Sequence, residues 1–122
     1  MTVAVWLCVG LAGAAGSAAR FLLQGAVGRR LGSRFPAGTL VVNLTGTLAL
    51  GVLVGAALDG DTYRVAGTGF LGAYTTFSAW MLESRRLADD GEVGLAWANI
   101  VVSLAAGLAV AVLGRHIGTA LA

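Results

Sequence analysis

LGAYTTFSAW, residues 71–80, sits inside a run from Val65 to Leu82 that carries no charged side chain. Within it, Tyr74, Thr75, Thr76 and Ser78 crowd hydroxyls around Phe77, just after Gly72 and Ala73. A helix core does not need such a cluster, and a solvent loop would not carry apolar flanks on both sides. Polar groups held inside an apolar segment point to a membrane-crossing stretch with an interior to serve, and that reading sets the class of the whole chain.

Working outward, three more runs are free of charge: Met1 to Ala19, Phe35 to Leu58 and Val93 to Gly114. Each is near the length, about 18–20 residues, at which an apolar run can span a bilayer. Across its 122 residues the chain is 57% hydrophobic and 11% charged, too little charge to cover the surface of a water-soluble domain. Its mean hydropathy is +0.85. These runs predict an all-α membrane protein of one domain, residues 1–122, with four helices at about 3–27, 37–58, 64–87 and 93–117. The first run lacks a basic start and continues through Arg20 into FLLQGAVG, so it reads as a helix and not as a signal peptide. Pro36 suits a helix start, Gly91 a helix exit and Glu92 a helix entry. GRRLGSRFP, LDGDTY and LADDGEVG are the connections.

The net charge of +2 comes from eight Arg against six acids. The arginines lie at helix ends, where they anchor headgroups, so nucleic-acid binding is not implied. Arg29, Arg30, Arg34, Arg85 and Arg86 fall on one side and Arg64 and Arg115 on the other, a small excess that also allows insertion both ways up. Cys8 is the only cysteine and forms no disulfide within the chain. Gly51 and Gly55 make one G-x-x-x-G, suited to an oligomer face or to packing among the chain's own helices.

Polar residues recur on faces. Thr39, Asn43 and Thr47 are spaced by four in the second span, and Asn99 and Ser103 by four in the last. No Asp, Glu, Lys or His lies mid-span, which removes the relay a proton-coupled carrier uses and the ligand cluster a metal transporter needs. Enzyme chemistry lacks a nucleophile–base pair. What remains is amide N–H, hydroxyl O–H and aromatic ring edges, a lining for a small anion or for water. Arg20 reads either as a snorkelling arginine or as a charge at a pore mouth.

Four pieces in order resemble the Fluc (CrcB) family of bacterial fluoride channels over nearly the whole chain: GLAGAAGSAAR, GTLVVNLTGTLALG, GFLGAYTTFSAW and NIVVSLAAG. The resemblance implies passive export of F⁻ across the bacterial plasma membrane, through pores at the interfaces of an antiparallel, dual-topology dimer. It implies a third helix broken near the bilayer centre. Freed carbonyls there, by position those of Gly72 and Thr75, would hold a structural Na⁺ on the dimer axis. It places Asn43, Phe77 and Ser103 on the fluoride path, with Thr39 and Ser78 as secondary members and Arg20 at the vestibule. Trp80 stands where the family has a second phenylalanine, Ala73 where it has a second glycine, and Gly107 where a threonine is common. A homodimer and a heterodimer with a related subunit are both open, and a partner-requiring subunit is the alternative reading. A small multidrug-type exporter fits less well, since the first helix has no acid before its end.

Overall fold

A computed structural model describes residues 1–32 and 34–122. The connection expected at GRRLGSRFP includes position 33, which lies outside the described residues. The chain forms α1 (Val3–Leu31), α2 (Ala37–Gly55), α3 (Gly60–Tyr63), a π-helical stretch (Arg64–Leu71), α4 (Gly72–Tyr74), α5 (Ser78–Asp89) and α6 (Val93–Leu121). Among the described residues, α1, α2 and α6 are long and apolar enough to cross a membrane. The stretch over about 64–87, which the hydropathy predicts as one helix, is divided into the π-helical stretch, α4 and α5.

The helix ends follow from local chemistry. Thr2 caps α1 by accepting the Val5 N–H at 3.3 Å. Gly32, at φ 81°, ends α1 by returning its N–H to the Gly28 carbonyl. Arg29 and Arg30 complement the carbonyl end of α1. Gly91, at φ 83°, lets the Glu92 N–H reach the Leu87 carbonyl at 2.8 Å, which closes α5 before α6 begins. Asp59 caps α3, taking both the hydroxyl (2.6 Å) and the N–H (3.0 Å) of Thr62. Those two bonds, the hydroxyl first, hold its carboxyl below the usual range.

The second helix stops at Gly55, short of Leu58, because Ala57 turns into the left-handed region at φ 52°. A Cβ in that conformation costs about 1–2 kcal/mol. Ala57→Gly should relieve it, less the entropy a glycine adds to the unfolded chain, for a gain of about 0.5–1 kcal/mol. Thermal unfolding in detergent checks this: a higher midpoint is expected, and a lower one would mean that Ala57 is not strained.

Packing rests on glycine. α2 lies chiefly against α6, and α1 against the π stretch, α2 and α4. Gly51 and Gly55 on α2 face Gly114 and Gly118 on α6 so closely that a Cβ at any of the four would meet the other helix's backbone. Their partners are the carbonyls of Ala111, Arg115, Leu48 and Val52. The G-x-x-x-G of α2 is thus used inside the chain. Gly16 of α1 faces the Phe70 carbonyl in the same way, and Gly69 faces Val9. Little is enclosed: Val42, Leu71 and Tyr74 form the buried centre, with Phe70 stacked on Tyr74 at 5.8 Å. Large apolar side chains such as Trp6, Leu11, Phe21, Trp97 and Leu108 stand on the outside, as lipid or another protein surface requires.

Candidate functional site

The helical run halts where the hydroxyls cluster. Thr75 is extended (φ −85°, ψ 158°), and helix resumes at Ser78. Two devices on Thr75 and Thr76 shape the gap. Thr75 sends both its N–H and its hydroxyl to the Leu71 carbonyl, each at 3.0 Å. Thr76 Oγ1 accepts the Ala79 N–H at 3.2 Å and so caps α5.

Asn43, from α2, then takes the place of a missing helical turn. Its Oδ1 accepts the Thr76 N–H and its Nδ2 donates to the Thr76 carbonyl, both at 2.8 Å. One carboxamide therefore satisfies both backbone groups of a residue 33 positions away. The second Nδ2 proton remains for another acceptor. Beside it, Thr45 donates to the α2 backbone at Val41 and Val42, so the Tyr74 hydroxyl donates to Thr45 Oγ1 at 2.8 Å. Among the described residues no N–H reaches the carbonyls of Gly72 or Thr75.

A groove of about 610 Å³ runs past this gap. Asn43, Gly72, Thr75, Phe77, Trp80 and Ser103 all line it, and so does Gly107. Its lining contains no carboxylate, guanidinium or imidazole. Phe77 is 69% exposed, and its neighbour in the wall is Trp80, edge-on at 5.6 Å. Polar backbone at such a gap is tolerated at membrane depth only under protein or beside a water-filled path.

Three residues named from the sequence lie elsewhere. Ser78 is exposed, 3.3 Å from Thr76 Oγ1, and outside the groove lining. Arg20 is half-buried near the middle of α1 and makes no ion pair among the described residues. Thr39 lines a second hollow of about 740 Å³, rimmed by Arg29, Arg34 and Arg86. There Gln24 Nε2 donates to Thr39 Oγ1 at 2.9 Å, and Thr39 donates to Glu83 Oε1 at 2.7 Å. Glu83 Oε2 is buried without a partner.

Gln24 escaped the sequence reading, though a glutamine amid the apolar FLLQGAVG was a signal. Asn99 shares a face of the last span with Ser103 by its four-residue spacing. It is 1% exposed and joins α6 to α5 through Ser84 and Trp80.

With this geometry in view, residues 7–115 match the family described as CrcB-like protein, Camphor Resistance (CrcB). The chain belongs to the CrcB family. Curated relatives of this CrcB chain include the fluoride-specific ion channel FluC 2 of Mycobacterium tuberculosis, 56% identical over 96% of this chain and 93% of the relative. The FluC 2 of Mycolicibacterium paratuberculosis is 53% identical over 95% of each chain. The FluC 1 of Symbiobacterium thermophilum is 41% identical over 93% of this chain and 96% of its own. The names are those of ion channels and not of enzymes. Family and apolar helices together make this CrcB chain a multi-pass cell-membrane protein.

Proposed function

We propose that the chain is a fluoride-selective channel that lets F⁻ leave the cytoplasm passively and so gives fluoride resistance. The observation that carries this is the uncharged groove in which amide and hydroxyl groups meet aromatic rings. Hydrogen fluoride enters a cell as the neutral acid and dissociates inside, and the trapped anion needs only a path down its gradient. A narrow path must replace the ion's hydration shell with fixed donors. The free Nδ2 proton of Asn43 supplies one, and the exposed ring of Phe77 presents a positive edge. Ser103 holds Asn99 Oδ1 at 3.4 Å, a long bond that is cheap to give up, so its hydroxyl can turn to an anion. Thr39, on the second hollow, and Ser78, outside the groove lining, are not contacts of this groove. Arg20 serves the vestibule, raising the local anion concentration.

The groove is open on one side, and the gap at Thr75–Phe77 needs cover at the bilayer centre. A second subunit, inserted antiparallel, supplies it and turns each groove into a pore at the dimer interface. The carbonyls of Gly72 and Thr75 fit a Na⁺ on the dimer axis, because they are hard oxygen acceptors with no N–H of their own. The ion would be structural and would satisfy those carbonyls where water is excluded. One observation favours a second reading, a subunit that needs a related partner: Gly107 leaves the groove without a side chain one turn beyond Ser103.

Fluoride efflux from liposomes holding this chain alone, read with a fluoride electrode beside a chloride control, tests both. Rapid fluoride release without chloride release is expected. Folded protein that releases neither ion would transfer the reading to the partner-requiring subunit.

A further inference from the structure

Trp80 is a point at which this chain departs from the phenylalanine its motif leads one to expect, and an indole brings an N–H that a phenyl ring lacks. A free N–H in an anion path would be a new binding group. The structure engages it elsewhere: Trp80 Nε1 donates to the Asn99 backbone carbonyl at 3.1 Å. The same asparagine reaches back with its side chain. Asn99 Nδ2 donates to Ser84 Oγ at 2.8 Å and lies 3.5 Å from the Trp80 carbonyl. Ser84 Oγ donates to that carbonyl at 2.9 Å. The orientation of the carboxamide follows from these partners. The Trp80 carbonyl only accepts, and the Ser84 proton is already committed to it, so Ser84 Oγ must accept from an N–H.

Asn99 and Ser84 are 1% and 4% exposed, and neither lines the groove, whereas Trp80 does. The knot therefore lies behind the wall of the path and grips Trp80 at both its backbone and its ring. Phe77 stands edge-on against the same ring, so the seat of Trp80 also sets the direction of Phe77.

We propose that Asn99 is a positioning residue for the anion path: its side chain, through Ser84, fixes the Trp80 backbone so that the indole N–H meets the carbonyl of residue 99 in the α5–α6 contact and only the aromatic ring is left to the groove. The effect on conduction rests on the fluoride-channel reading above, but the seating does not. Loss of the carboxamide leaves Ser84 Oγ without its donor where water cannot reach, and leaves the Trp80 backbone held by Ser84 alone.

The test uses the full chain in liposomes. With Trp6→Phe and Trp97→Phe, Trp80 becomes the sole tryptophan, and acrylamide quenching reads its exposure. Asn99→Ala should raise that quenching about twofold and lower fluoride efflux about tenfold, the size of coupling expected between residues in one network. In a Trp80→Phe background, the same Asn99→Ala change should lower efflux by less than about threefold relative to that background, since a phenyl ring has no N–H for the fixed backbone to aim at the residue-99 carbonyl. Should Asn99→Ala fail to fold, Ser84→Ala removes the nearest partner of the carboxamide and is expected to move quenching the same way. Unchanged quenching, or equal losses of efflux in the two backgrounds, would overturn the proposal. If the parent chain releases no fluoride, the channel reading fails by itself, while quenching still decides whether Asn99 seats Trp80.

Discussion

Asn43→Ala should cost fluoride efflux about 100-fold and destabilise the folded chain by about 2–4 kcal/mol, the sum for two unmade bonds to buried backbone groups. Both effects come from one side chain. The carboxamide is the partner of the Thr76 N–H and of the Thr76 carbonyl, each at 2.8 Å, across the gap between α4 and α5. Without it, both groups are orphaned where the helix cannot take them back, because Thr75 is extended. The remaining Nδ2 proton, the one available to an anion, goes as well. Asn43→Asp separates the two roles. A carboxylate can still accept the Thr76 N–H, but it meets the Thr76 carbonyl as a second acceptor and places a negative charge on an anion's path. Efflux should then be abolished although part of the clasp survives. Liposome efflux and amide exchange at Thr76 are the readouts. Efflux within about threefold of the parent in Asn43→Ala would remove Asn43 from the path.

The second large effect concerns α2 and α6. Gly114→Leu should prevent recovery of monodisperse protein from detergent. A Cβ at Gly114 runs into the Leu48 carbonyl and stands 3.2 Å from Gly51 Cα, so the clash is with backbone, which cannot turn aside. Overpacking a tight interface costs about 1–3 kcal/mol where side chains can adjust, and more where helices must part. Gly94→Leu is the control. It lies on the same helix, its Cβ would meet nothing within 4 Å, and the fold should survive it. Normal size-exclusion behaviour of Gly114→Leu would show that the two helices are not held backbone to backbone.

The class of this protein was legible because hydropathy is a sum over neighbours in the chain. Runs without charge, arginines at their ends and a cluster of hydroxyls in one run are local facts, and the bilayer converts them into crossing helices. Asn43, Phe77, Trp80 and Ser103 are named as a set by the resemblance to the family's motifs, and the structure brings them to one groove. Thr39 was singled out on the same periodic face as Asn43, yet it opens into the other hollow, beside Gln24 and Glu83. A four-residue period says which side chains share a face of one helix, not where along a crossing the neighbouring helix changes.

Only the tertiary structure decided the pairings. Glycine spacing in α2 left an oligomer face and an internal one equally open until α6 was seen to bring its own glycines to the same place. Trp80 carries an N–H in any conformation, but its acceptor is a backbone carbonyl 19 residues on, and no side-chain pattern marks a carbonyl. The gap after Tyr74 likewise depends on Asn43 arriving from α2 to take the bonds a helix would have made. The sequence alone determined which groups need partners, since burial in lipid makes every polar atom costly to leave alone. Which partner each one finds depends on how the helices cross, and that is settled by close contacts between residues far apart in the chain.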